Sequence, residues 1–170
     1  MSQNGNELSS QSSAEESEPV KILLAEDDKE DQELFEEAVK KTGENIELTV
    51  VANGKELVNN LKDKEQENPD IIFLDINMPV KDGRQALKEI KEDEELKEIP
   101  TVVLSTSDHA KEIQESFEAG ASLYVKKPNS FRGFILLLKK VLSFHWAGKL
   151  LRPVWRHFFI TEKNITEEKH

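Results

Sequence analysis

Short apolar runs alternate with longer, one-sided helical patterns between Pro19 and about Ser143. The runs are Val20–Ala25, Ile46–Val51, Asp70–Asp75, Pro100–Ser105 and Ala121–Lys126. Each has the length of a strand and is bounded by turn residues or charge. The first, third and fourth are almost uninterrupted Ile, Leu, Val and Phe, as strands covered by helices on both faces must be, so these three are expected at the centre of a sheet. Between the runs, Leu34, Phe35, Ala38 and Val39 recur at helical spacing, as do Leu57, Val58 and Leu61, then Ala86, Leu87 and Ile90, then Ile113 and Phe117. A fifth helix is predicted from near Ser130 through Phe134, Leu137, Leu138 and Val141.

Five alternating strand and helix units predict an α/β fold around a parallel sheet. Right-handed crossovers leave few topologies, and the expected one is the flavodoxin-like, doubly wound five-stranded sheet of order 2-1-3-4-5. In that order the first and third strands are neighbours, and a ligand-binding crevice opens at their carboxyl ends. One core is expected for 170 residues, over 19–143. Residues 1–18 are mostly Ser, Gln, Asn and Glu, too poor in apolar side chains to offset the entropy of ordering, so this acidic arm is expected to be disordered. Residues 144–170 form a C-terminal extension. Within it, Phe144–Ile160 joins Trp146, Leu150, Leu151, Val154, Trp155, Phe158 and Phe159 to Lys149, Arg152 and Arg156, with no acidic residue. That composition suits a membrane surface or a partner groove, but packing on its own domain or on a dimer mate is the preferred reading. Pro153 predicts two short pieces rather than one long helix, and residues 161–170 read as a frayed tail.

Charge and composition narrow the function. With 34 acidic against 23 basic residues, a net charge of -11 opposes non-specific attraction to nucleic acid or anionic lipid, so neither is an expected partner. The absence of cysteine excludes a disulfide framework, a thiolate nucleophile and a sulfur-ligated zinc site. The longest apolar run, Phe134–Leu138, is too short to cross a bilayer, and no targeting pattern opens the chain, so a cytoplasmic location is expected.

The first strand ends in Ala25-Glu26-Asp27-Asp28 and the third in Leu74-Asp75, which brings at least three carboxylates to one crevice. Either some are protonated through raised pKa values or a hard cation neutralises them, and the cation is preferred because an open, oxygen-rich site suits magnesium. Capping of the following helix is a sufficient reading for Asp28, but it does not account for Asp75. Ser105 closes the fourth strand, and Lys127 follows the fifth, immediately before Pro128. A carboxylate surrounded by a hydroxyl, an ammonium and a metal is what a phosphorylated aspartate needs.

Glu26-Asp27, Asp75-Ile76-Asn77-Met78-Pro79 with Asp82-Gly83, Ser105-Thr106 and Lys127-Pro128 together resemble the receiver domains of response regulators, over about Pro19 to Ser143. Four elements in this order are far more specific than any one alone. The resemblance implies that Asp75 is the phosphoacceptor and Asp27 a direct ligand of Mg2+, with Glu26 supporting the metal through water and Asn77 lending its backbone carbonyl. Ser105, with Thr106 beside it, stands where the family binds the phosphoryl group through a hydroxyl, and Lys127 where the family's lysine pairs with it. A cis peptide bond before Pro128 is also implied, as is a switch in which Ser105 moves toward the phosphoryl group while Tyr124 turns inward. Asn77 and Ser107 occupy the positions that influence the lifetime of the acyl phosphate.

The partners implied are a sensor histidine kinase or a histidine phosphotransfer protein, and a homodimer through the fourth helix, fifth strand and fifth helix or through the C-terminal extension. The resemblance extends to regulators paired with phytochrome-type kinases. Such a chain is not an enzyme acting on an external substrate; it catalyses only its own phosphorylation and dephosphorylation. Two other functions fit parts of the pattern. A scaffold that dimerises without phosphorylation would not need Glu26, Asp27, Asp75, Ser105 and Lys127 together, and a phosphatase of related fold would place an acid two residues after Asp75, where this chain has Asn77. His109 is read as a solvent-facing loop residue, and the Lys91–Glu98 stretch as a solvated helix face.

Overall fold

The computed structural model describes residues 18–78, 80–144 and 155–167. The acidic arm over 1–17, Pro79, the aromatic and basic stretch 145–154 and residues 168–170 lie outside the described residues, as do the side chains of Trp155, Arg156, Thr166 and Glu167.

The chain runs β1 (Val20–Ala25), α1 (Lys29–Lys41), β2 (Ile46–Val51), α2 (Gly54–Lys62), β3 (Ile71–Asp75), α3 (Gly83–Glu92), β4 (Thr101–Ser105), α4 (Ala110–Glu118), β5 (Leu123–Lys126) and α5 (Phe131–Leu142). Then follow α6 (Trp155–Phe158), β6 (Phe159–Ile160) and α7 (Glu162–Glu167). All strand pairs are parallel, in the order β2-β1-β3-β4-β5-β6. The predicted order 2-1-3-4-5 is therefore present with a sixth strand added at the β5 edge.

Strand alternation splits the core in two. Ile22, Leu24, Ile71 and Phe73 pack with Phe35 of α1 and Phe134 and Leu137 of α5, whereas Leu23, Ala25, Ile72 and Leu74 pack with Leu57 of α2, Leu87 of α3 and Ile113 of α4. Every residue of β3 and β4 is buried, which is why those strands carry no outward polar position. Phe35 meets Phe73 edge-on at 5.1 Å and Phe134 at 5.7 Å, clamping α1 and α5 over the centre of the sheet. Leu34 departs from the predicted apolar face: it is exposed at the mouth of a cavity between α1 and the β5–α5 loop.

Helices α1 to α5 start at the carboxyl edge of the sheet, and all but α4 are capped there by a side chain. Asp28 accepts from the Asp31 amide at 2.9 Å, Asn53 from Glu56 at 2.9 Å, Asp82 from Gln85 at 3.0 Å and Ser130 from Gly133 at 3.0 Å. Such caps are worth about 1 kcal/mol each and fix where the loops at this rim begin. Gly83 is required for a steric reason, since a Cβ there would overlap the Asp75 carbonyl oxygen and the Ile76 Cα.

Residues 161–167 are ordered, contrary to the expectation of fraying, and 168–170 lie outside the described residues. Thr161 and Asn164 cap α7 reciprocally, Asn164 Oδ1 accepting from the Thr161 amide at 2.9 Å and Thr161 Oγ1 from the Asn164 amide at 3.2 Å. Ile165 is buried in the cluster that holds α1 and α5. Ser130 donates to Glu162 Oε1 at 2.8 Å, and the Glu162 carboxyl fills the space that a Cβ on Gly133 would occupy. Phe158 is fully buried, meeting Phe117 edge-on at 5.1 Å and lying 6.5 Å from the Tyr124 ring. β6 pairs Phe159 with Tyr124 and Ile160 with Val125.

Truncating a fully buried Phe costs about 3–5 kcal/mol. Phe158→Ala is therefore expected to release β6 and α7 selectively. Hydrogen exchange should accelerate more than tenfold at the amides of 160–167 and stay unchanged in β3 and β4; uniform protection across both regions would contradict this packing.

Candidate functional site

The crevice predicted at the carboxyl ends of β1 and β3 is present, and its chemistry is carboxylate. Oxygens of Glu26, Asp27 and Asp75 lie within 4.8 Å of one another. Glu26 and Asp75 are 2% and 5% exposed, whereas Asp27 faces solvent. The two buried acids sit there because β1 and β3 are adjacent and in register, Ala25 opposite Leu74, so the residues that follow emerge side by side. The Glu26 amide continues the β1–β2 ladder by donating to the Val51 carbonyl at 3.0 Å, and the Glu26 carbonyl accepts from Gln32 Nε2 at 2.6 Å.

Lys127 supplies the compensating charge. Its Nζ lies 2.7 Å from Glu26 Oε1, 3.2 Å from Asp31 Oδ2 and 3.3 Å from Asp75 Oδ2. The lysine is held at its backbone too, donating its amide to the Ser105 carbonyl at 2.8 Å. Burial, reinforced by a hydrogen bond with Asp75, pushes the Glu26 carboxyl up to about 8 against the opposing pull of Lys127. Burial disfavours the Lys127 ammonium, but its hydrogen bond to Glu26 and the charges of Asp75, Glu26 and Asp31 outweigh that and hold it above the ordinary lysine value.

The remaining predicted residues surround this core at different depths. The Asn77 amide donates to Asp75 Oδ1 at 2.9 Å, so one carboxylate oxygen faces the β3–α3 loop and the other faces Lys127. Val80, in the same loop, has φ of 68° and is 78% exposed, an unusual backbone for a β-branched residue. Ser105 is fully buried at the end of β4, its Oγ accepting from the Ser107 amide at 3.1 Å. Thr106 is exposed and lines the same cavity as Glu26, Asp31, Leu34, Lys127 and Pro128, a space of about 180 Å3.

Tyr124 is not among the carboxylates. It is fully buried beside Phe158, with its hydroxyl donating to the Ser107 carbonyl at 2.9 Å, and burial pushes that phenol above its ordinary value. Ser105 and Tyr124 thus bond the amide and the carbonyl of one residue, Ser107, which joins the rim of the crevice to β5. The Tyr124 ring points inward.

One expectation is corrected. No peptide bond among the described residues is cis, so the Lys127–Pro128 bond is trans. Trans is favoured before proline by about 0.5–1 kcal/mol, and from the trans loop the Lys127 side chain already reaches all three acids. Two residues of the site were not anticipated, Asp31 and Gln32. The signal for Asp31 was available: with Asp28 as N-cap, position 31 falls in the first turn of α1, beside the end of β1 that bears Glu26 and Asp27. Asp28 does perform the predicted capping, and His109 is exposed and makes no side-chain capping bond to α4.

Known proteins share this fold. The description of the response regulator receiver domain matches residues 22–139, from β1 into α5. The response regulator Rcp1 of Synechocystis sp. is 37% identical over 145 residues, 82% of this chain and 98% of that relative. The crystal structure of the Mn2+-bound form of Rcp1 superposes with a TM-score of 0.69 at 33% identity, over 80% of this chain and 100% of that one. The phosphorylated cyanobacterial phytochrome response regulator RcpA gives a TM-score of 0.71 at 34% identity, over 80% of this chain and 99% of that one. By sequence over most of its length and by fold, this chain belongs to the response regulator receiver family.

Proposed function

We propose that Asp75 accepts a phosphoryl group from a phosphohistidine, on a sensor histidine kinase or a histidine phosphotransfer protein, and that the acyl phosphate alters how the chain contacts other proteins. The observation that carries this reading is the convergence of Glu26, Asp27 and Asp75 within 4.8 Å, with Lys127 Nζ 3.3 Å from Asp75 Oδ2. The phosphoacceptor unit is taken as residues 19–143, with 144–170 as an extension whose described part packs on the β5 edge.

An all-oxygen set with two buried acids and one exposed acid fits a hard divalent cation that keeps several waters. Asp27 and Asp75 would hold it directly, Asn77 through its backbone carbonyl and Glu26 through water. Bound there, magnesium would supply positive charge to offset that of the acids and of the transferred group. That the relative Rcp1 has a Mn2+-bound form supports a divalent cation for this chain.

The chain's own groups do the rest. An Asp75 carboxylate oxygen attacks phosphorus in line, forming a P–O bond as the P–N bond to the donor imidazole breaks and its electron pair returns to that nitrogen. Lys127 offsets charge on the transferred oxygens, and Ser105 with Thr106 receives them from the β4 side. Water later attacks phosphorus, releasing inorganic phosphate and restoring the Asp75 carboxylate. Asn77 offers no proton two residues on, where a phosphatase places an acid, so the chain acts as a switch and not as a catalyst of external turnover.

Output is read at the face formed by α4, β5 and α5, to which the partly exposed Phe159 contributes while Phe158 packs beneath it. Tyr124 and Ser105 meet at Ser107, so a movement of Ser105 toward a phosphoryl group reaches that face through one residue. A second copy of the chain, through this face or the extension, is one partner consistent with the reading. RcpA is a phytochrome response regulator, which supports a phytochrome-type kinase as the donor. A cytoplasmic location follows from the donor; no helix among the described residues is long and apolar enough to cross a membrane.

Incubation with magnesium and a small acyl-phosphate donor should add the mass of one phosphoryl group, stable to acid and labile to base. Asp75→Asn or chelation of the cation should abolish the adduct, whereas an unmodified wild-type chain would overturn the assignment. A second outcome follows from Glu26. Its folded value of about 8 lies above its ordinary 4.5, so without metal the folded chain keeps a proton that the unfolded chain releases. Stability from this group is complete below about pH 4.5 and is lost as pH rises through 8. Denaturant midpoints measured in chelator should therefore decline over this window in the wild type more than in Glu26→Gln; equal slopes would contradict the raised value.

A further inference from the structure

Lys127 has three N–H bonds and meets three carboxylates: Glu26 at 2.7 Å, Asp31 at 3.2 Å and Asp75 at 3.3 Å. Under the phosphoacceptor reading, on which this inference rests, the same ammonium must also bond an oxygen of the phosphoryl group on Asp75. With no fourth donor, one present bond must be surrendered.

The three partners differ in what surrender costs. The Glu26 side chain is 3% exposed, so an oxygen left without its donor there would also be without water. Asp75 is the group being modified. The Asp31 side chain is 45% exposed, and its carboxylate can exchange the lysine for solvent. We propose that Asp31 is a positioning residue that keeps one Lys127 N–H in reserve and yields it to the incoming phosphoryl oxygen, so that the strength of the Asp31–Lys127 pair sets how fast Asp75 is phosphorylated.

A plainer role for Asp31, as an acid in the first turn of α1 complementing the helix dipole, explains its charge but not its direction. The capping is done by the Asp28 side chain, and Asp31 contributes only its amide to it. Its carboxylate is left to point across the crevice mouth at a lysine on the far side of the sheet's reversal point, 96 residues away in sequence.

The test uses the full chain, saturating magnesium, a small acyl-phosphate donor and high salt. Half-exposed ion pairs of this kind are worth a fraction of a kcal/mol up to about 1, so Asp31→Asn should raise the maximal phosphorylation rate about two- to fivefold, and Asp31→Glu should restore the wild-type rate. Mere loss of repulsion toward an anionic donor would act instead on the half-saturating donor concentration and would fade with salt. The Lys127 side-chain methylene resonance gives an independent readout. It should differ between wild type and Asp31→Asn before phosphorylation and coincide once both carry the adduct. Equal maximal rates, or a resonance difference that persists in the adduct, would overturn the proposal while leaving Asp75 as the acceptor. Absence of any adduct in either protein would overturn both.

Discussion

Carboxylates repel, and the fold spends much of its order on keeping Glu26, Asp27 and Asp75 together. The register of β1 against β3 puts two of them side by side, the packed interior behind them denies water to Glu26 and Asp75, and the trans loop after β5 brings one ammonium within reach of both. None of these features is stabilising by itself at that spot. Burial raises the energy of the charged acids, and it is the same burial that makes Lys127, and any cation, interact so strongly with them. The carboxyl rim of the sheet thus concentrates negative charge that the Lys127 ammonium partly offsets.

The surroundings divide that task by depth. The deepest layer, β3 and β4, is wholly apolar except at its ends, and it sets the separation of Asp75 and Ser105. Around it, Asp28, Asn53, Asp82 and Ser130 fix the starts of four helices at the same edge, so the loops bearing the site are short and anchored at both sides. Outermost are Asp27, Asp31, Asn77 and Thr106, where exchange with water is cheap.

Much of this was legible in the amino-acid order because the relevant signals are local. An uninterrupted apolar run ending in Asp75 announces a central strand and its terminal acid, and the periodicity from Leu57 to Leu61 or Ala86 to Ile90 announces a one-sided helix. What was hidden depends on contacts between distant segments. The two residues of β6 carry no strand signature alone; they become a strand because Tyr124 and Val125 present an open edge. The order in α7 comes from Thr161 and Asn164 capping each other and from Ile165 finding a place beside α5, although the charged residues around them look like a solvated end. Leu34 fits the apolar face of α1 by spacing, yet it stands at a cavity mouth because the helix begins at the crevice. Asp31 was overlooked for the opposite reason, as one acid among many in an acidic helix.

The aromatic cluster around Tyr124 changes what a binding protein would encounter at β5. Tyr124 and Phe158 are fully buried beneath the partly exposed Phe117 and Phe159, so the surface there is built jointly by α4 and the tail and is not the bare side of a receiver. Any molecule that recognises it recognises the tail and the sheet edge as a single shape. Specificity among related regulators can then be rewritten by altering a few tail residues, without touching the acids that carry the chemistry.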